Sequence, residues 1–178
     1  MPAVDARYVV RCAGEREKPC FLEEMTTRDV TWKLFYPNTG EVGRLLHKRL
    51  RRELNMQTAA VSGDGKTLAV VEGTSEVFLV DIETGSVSTI DVGTGVELQT
   101  VAFAADGALW ATTMGYRGHF FALLRFGSRG GGKIASEPTG IIQGPSRFFW
   151  RPTPSPDGKH LAFGVLDFHL VVYHLAGV

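Results

Sequence analysis

Charge of one sign, cysteine and long apolar runs are all scarce in this chain of 178 residues. Lys plus Arg and Asp plus Glu both number 19, so the net charge is zero and the whole-molecule field offers little attraction for nucleic acid or an anionic membrane. No apolar stretch approaches the roughly 20 residues that span a bilayer, and Met1–Arg11 lacks the basic-then-apolar order of a secretory signal. Neither nucleic acid nor membrane is therefore expected as a partner. A cytoplasmic setting is the default, and a periplasmic or other extracytoplasmic one applies if the chain is part of a longer protein. The two cysteines, Cys12 and Cys20, flank a polar stretch with a Gly and a Pro that reads as a hairpin turn. Opposite hairpin positions could bring them together, but two cysteines make no disulfide framework and the expectation is free, partly buried thiols. Neither has a Cys or His neighbour at zinc-ligand spacing.

Catalytic signatures are equally sparse. There is no Gly-x-Ser-x-Gly elbow, and His47, His119, His160, His169 and His174 form neither His-x3-His nor His-Glu-x2-His. Gly127–Ile134 fits Gly-x4-Gly-Lys but ends in Ile134 where a phosphate loop needs Ser or Thr, and Pro138 interrupts any following helix. A hairpin tip between two strands accounts for it better. Arg44, His47, Lys48, Arg49, Arg51 and Arg52 concentrate positive charge without aromatic interleaving and read as a solvated connector. No catalytic residue, cofactor or metal site is expected.

What the chain has is an apolar fraction of 44%, enough to bury a core, and internal repetition. Val61–Val70 contains Ser62-Gly63-Asp64-Gly65-Lys66, and the pattern recurs as Pro154–Phe163 around Asp157-Gly158, and more loosely as Phe103–Ala111 around Asp106-Gly107. A weaker copy at Val4–Val10 has Ala6 in place of the turn glycine. Asp-Gly between apolar runs is a hairpin signal, because Gly takes positive φ cheaply and the Asp carboxylate bonds backbone N–H groups in the turn. A second turn, Thr39-Gly40, recurs as Thr84-Gly85. Two turn types in alternation give four strands per unit, and a unit of about 40 to 50 residues carrying several strands has the period of a propeller blade.

The stretch Pro152-Thr153-Pro154-Ser155-Pro156-Asp157-Gly158-Lys159-His160-Leu161-Ala162-Phe163 resembles the repeat element of TolB-like β-propellers, related in architecture to WD-repeat propellers. Pro154 stands where that family usually has Trp, and Gly63 replaces the Pro before Asp64. The resemblance implies an all-β fold of blades with four antiparallel strands. It gives one domain over 1–178 with blades near 8–46, 57–92, 98–136 and 148–175, the last stopping after its third strand. Helix is scarce, and at Gly43–Met56 a strand followed by a loop is favoured. Four units, one incomplete, suggest an incomplete ring, whose open blade edges would favour self-association.

Asp64, Gly65, Asp106, Gly107, Asp157 and Gly158 are expected to be structural turn residues. Arg117, His119, Arg147 and Trp150 lie in loops or at strand ends, where a propeller presents its binding face, and are the candidate binding residues. The resemblance implies a noncatalytic module that binds a protein or peptide as a scaffold or sensor part. The rival expectations are a metal-dependent propeller lactonase or hydrolase, or the accessory propeller of a serine peptidase.

Overall fold

The computed structural model describes residues 6–12, 20–50, 59–72, 74–118, 121–128, 133–143, 152–155, 159–164 and 170–175. Among them, strands form four antiparallel sheets, each a meander in chain order. The first sheet holds β1 (Arg7–Cys12), β2 (Cys20–Met25), β3 (Asp29–Tyr36) and β4 (Glu41–Leu50). The second holds β5 (Ala59–Val61), β6 (Thr67–Glu72), β7 (Glu76–Asp81) and β8 (Val87–Asp91), and the third β9 (Glu97–Phe103), β10 (Leu109–Met114), β11 (Phe121–Phe126) and β12 (Gly140–Gln143). The fourth has three strands, β13 (Thr153–Pro154), β14 (His160–Gly164) and β15 (Leu170–His174).

The sheets fan about a shared axis. The first strand of each sheet meets the first strand of the next, β1 with β5, β5 with β9 and β9 with β13. Those four strands form the inner rim, and β4, β8 and β12 the outer one. Three apolar layers fill the gaps between successive sheets. Phe21, Trp32 and Leu34 meet Leu68, Val70 and Val80 in the first gap. Val71, Val77 and Leu79 meet Leu98, Leu109 and Leu124 in the second, and Trp110 and Leu123 meet Leu161 in the third. Side chains alternate across a strand, so β6 sends Leu68 and Val70 to one gap and Ala69 and Val71 to the other. Its near-continuous apolar sequence is that of a strand buried on both faces.

Several expectations are corrected by this arrangement. The cysteines are joined as a Cys12–Cys20 disulfide, not free thiols. They sit directly opposite on β1 and β2 with Cα atoms 4.2 Å apart, the close spacing of a non-hydrogen-bonded antiparallel pair. The weak copy at Val4–Val10 is not equivalent to the others. Arg7–Cys12 is the innermost strand of its sheet, whereas the later Asp-Gly turns follow the innermost strand, so a copy that ends within β1 is out of step with them. β12 lies at Gly140–Gln143, beyond residue 136, because a further hairpin closed by the Ser128–Ile134 bridge intervenes after β11. The basic stretch is not merely a connector. Residues 44–48 belong to β4, where Arg44 donates to the carbonyls of Ile82 and Glu83 in the next sheet, and Lys48 Nζ lies 2.7 Å from Asp29 Oδ2.

Two buried tryptophans differ in how they are satisfied. Trp32 Nε1 donates to Glu23 Oε2 at 3.2 Å, and the same oxygen accepts from Arg11 Nε at 3.0 Å, so a buried carboxylate ties three strands together. Trp110 Nε1 is buried with no hydrogen-bond partner among the described residues. Replacing either ring by Phe removes similar volume, but only Trp32→Phe takes a donor from a buried acceptor. Trp32→Phe should therefore cost about 1–3 kcal/mol more than Trp110→Phe. Urea denaturation of the two variants measures the difference, and equal losses would contradict the assigned bond.

Candidate binding face

A four-stranded meander puts its first and third turns at one end of the sheet and its second turn, with the crossover to the next sheet, at the other. The two ends of the molecule are consequently built from different residues. One carries the Asp-Gly and Thr-Gly turns, and the other carries the second turn of each sheet and the crossovers between sheets.

At the turn end the backbone is closed by local bonds. Asp64 Oδ1 accepts from Ser62 Oγ at 2.6 Å and from the Lys66 N–H at 3.0 Å, and Gly65, at φ +72°, donates to the Ser62 carbonyl at 2.9 Å. Asp106 Oδ1 accepts from the Ala108 N–H at 2.9 Å while its Oδ2 lies 2.6 Å from Arg125 Nη2, and Gly107 has φ +78°. Burial raises the Asp106 carboxyl, but the Ala108 N–H and Arg125 outweigh it and hold the group below its ordinary value. In the Thr-Gly turn, the Thr84 N–H and hydroxyl both donate to Asp81, which is likewise lowered. A cleft of about 260 Å³ separates the two Asp-Gly turns, with Asp64 and Asp106 on its walls. Both carboxylates are engaged by their own turns. Asp157 and Gly158 lie outside the described residues, while the flanking Ser155 Oγ accepts from the His160 N–H at 2.9 Å, as Ser62 Oγ accepts from the Thr67 N–H at 2.9 Å.

At the loop end, three segments meet backbone to backbone. The Val92 N–H donates to the Ser75 carbonyl at 2.9 Å and the Leu98 N–H to the Thr74 carbonyl at 2.6 Å, which fastens the β6–β7 loop to the crossover 92–96. A Cβ on Gly115, at φ +78°, would lie 2.6 Å from the Gly95 carbonyl oxygen, so only glycine lets the β10–β11 loop approach this crossover. That loop then forms a 3-10 turn, Tyr116–Gly118. Tyr116 is buried in the core between the second and third sheets, and Arg117 is exposed with its guanidinium carbon 5.3 Å from the Tyr116 ring centroid. Arg117 is left-handed, at φ 48° and ψ 40°, a conformation that non-glycine residues rarely hold without a surrounding constraint.

Of the candidate binding residues, the structure places Arg117 on this end. His119, Arg147 and Trp150 lie outside the described residues. Sequence reasoning did not single out Gly95 or Gly115, whose role rests on a contact between separate segments, whereas Tyr116, one of the aromatics expected to pack in the core, is buried there. Also missed was His47, which bridges the first two sheets. Its Nε2 lies 3.2 Å from Glu72 Oε2, and its ring packs against Trp32 and, edge-on, against Phe78. Among the described residues, no three His, Cys, Asp or Glu side chains are placed to share a metal ion.

Comparison with solved structures identifies the architecture. The fold is similar to a chain in the crystal structure of a mitotic checkpoint complex, at TM-score 0.61 and 18% identity, covering 95% of this chain and 52% of that one. It is also similar to the WD40 domain of coronin from Toxoplasma gondii, at TM-score 0.64 and 14% identity, covering 95% of this chain and 42% of that one. These likenesses give the fold, a WD-repeat-like β-propeller whose blades are the four sheets. The chain spans about half the length of the solved structures it matches. No family model and no curated protein matches it.

Two outcomes follow from these geometries. Gly115→Ala combines an unfavourable φ with a clash against backbone and should destabilise by more than about 1 kcal/mol. Gly93→Ala, at φ +98° but facing open space, should cost less when both are melted side by side. For Asp106 the folded-state value is depressed, so its contribution is present above the ordinary carboxyl value of 3.8 and fades as pH falls through the folded one. The stability advantage of wild type over Asp106→Asn should be a few tenths to about 1 kcal/mol near pH 6, disappearing in the acid range. An advantage unchanged by acid would contradict this assignment.

Proposed function

We propose that this chain is a noncatalytic β-propeller module that binds a protein or peptide across its loop end, acting as a scaffold or sensor part of a larger assembly. The observation that carries the reading is the backbone bonding of 74–75 to 92–98, with Gly115 of the β10–β11 loop packed against the Gly95 carbonyl. A site fixed by its scaffold loses little order on binding, which favours recognition of an extended partner surface. Arg117 stands exposed on that platform with its guanidinium over the Tyr116 ring, the kind of side chain enriched where proteins meet. Assigning His119, Arg147 and Trp150 to the same surface belongs to the proposal and rests on topology. They fall in the β10–β11 and β12–β13 connections, both of which run between strand ends on this side. The TolB-like character is likewise proposed, supported by Pro152–Phe163.

The turn end argues for restraint about catalysis, since Asp64 and Asp106 spend their oxygens on turn N–H groups, a serine hydroxyl and Arg125. Peptides selected against the purified chain from a displayed library provide the test. Fluorescence anisotropy should show Arg117→Glu weakening the selected peptides about tenfold or more, the loss of one interface side chain worth about 1.4 kcal/mol. Thr84→Ala at the opposite end should leave them unchanged. Peptides lost through Thr84→Ala and indifferent to Arg117→Glu would place recognition on the wrong end, and turnover of a substrate by the metal-loaded chain would replace the reading with an enzymatic one.

A further inference from the structure

The two sheets at the ends of the arc each leave one face uncovered. In the first sheet, Phe21, Val30, Trp32 and Leu34 face the second sheet. The opposite face carries Tyr8 and Val10, which are 51% and 48% exposed, beside half-buried Leu22 and Phe35. In the last sheet, Leu161, Val171 and Tyr173 face the third sheet. Its opposite face carries Leu170 and Val172, which are 71% and 54% exposed, with Ala162 directly across from Val172. What the arc leaves open at its two ends is thus a pair of faces.

These faces are repeat equivalents of faces buried elsewhere in the same molecule. Leu161 pairs with Tyr173 as Leu68 pairs with Val80, and each pair faces the preceding sheet. The open face behind Leu161 therefore corresponds to Ala69, Val71, Val77 and Leu79, which the third sheet covers. By the same alternation, the open face of the first sheet corresponds to the Leu68, Val70 and Val80 face of the second, which the first covers. The chain carries both halves of a contact that it already builds three times.

We propose that two copies of this chain close into one ring, the last sheet of each packing on the first sheet of the other. Four sheets from each copy give eight, the upper end of the range for closed propellers, and the span of about half a matched WD40-type chain agrees with a ring shared by two. A single twofold axis along the ring centre satisfies both open faces of both copies at once, the closed symmetry that most homodimers adopt. The loop ends of the two copies then lie on the same side of the ring. Zero net charge removes long-range repulsion between copies. On the first sheet's open face Glu24 pairs with Lys33 at 2.8 Å and Asp29 with Lys48 at 2.7 Å, so these charges enter the contact already paired. The inference is independent of the proposed binding role.

Sedimentation equilibrium of the 178-residue chain from micromolar to several hundred micromolar provides the test. The expected species has twice the 19.4 kDa mass of one copy and no larger successor. Val10→Asp and Val172→Asp, on the two open faces, should each raise the dimer dissociation constant at least tenfold, whereas Val87→Asp, exposed on outer strand β8, should leave it unchanged. Circular dichroism confirms that the variants fold. For wild type alone, amide exchange at residues 7–12 and 170–174 should slow as concentration rises. A chain that stays at 19.4 kDa throughout, or a dimer indifferent to both face variants, overturns the proposal. Mass growing without limit overturns the closed ring, and folding of the chain only when fused to further blades would assign the faces to another occupant.

Discussion

A four-stranded sheet with apolar side chains on both faces cannot be stable alone, and that constraint organises the whole molecule. β6 and β10 send large aliphatic or aromatic residues to both sides, so each needs a neighbouring sheet on either hand. Successive meanders supply one with the shortest connection, and the right-handed twist of each sheet turns the stack into a fan about the inner strands. Polar groups enter only where they are satisfied. The Thr100 and Thr112 hydroxyls, buried between β9 and β10, lie 2.8 Å apart, and Glu23 is held by Arg11 and Trp32. Trp110 Nε1 is the contrary instance, a buried donor without a partner among the described residues, on a ring packed against Leu123 and Leu161.

The same meander divides the molecule's chemistry between its ends. Turns that reverse the chain in few residues must spend Asp and Gly on backbone geometry, and their carboxylates are then unavailable for other work. The crossover 92–96 at the opposite end is instead fastened by the neighbouring β6–β7 loop. There the chain uses glycine differently, at Gly115 to let two loops touch instead of to tighten one turn. A side chain such as Arg117 can then be held out by a structure it does not itself support. The fold thus gathers self-satisfied turns at one end and leaves the other, where binding is proposed, to its loops.

Local features were legible in the sequence to the extent that they depend on neighbours in the chain. Asp64-Gly65 and Thr84-Gly85 announce their turns because the residues that accept and donate are two to three positions apart. The third Asp-Gly copy shows where this stops. Val61 pairs with Leu68, but Phe103 pairs with Leu109, one residue closer in sequence. The shorter turn makes Leu109, not Trp110, the equivalent of Leu68, and sends Trp110 to the opposite face. Matching by Asp-Gly alone misplaces every later side chain of that strand, because one residue of slip exchanges the two faces.

Contacts between distant segments were not legible for the converse reason. Nothing near His47 in sequence marks Glu72 or Phe78 as its neighbours, and a basic run looks alike whether it is a loop or an outer strand whose Arg44 reaches another sheet. Cys12 and Cys20 depended on register, since a displacement by one residue would have set them on opposite faces instead of opposite each other. The same reasoning bears on the ends of the arc. Their open faces have sequences no different in kind from those of buried faces, because each sheet is built to one pattern irrespective of its place in the fan. Nothing along the chain instructs the first or last sheet to end the stack, so covering them falls to whatever presents a sheet of matching pattern, and each copy of this chain presents both.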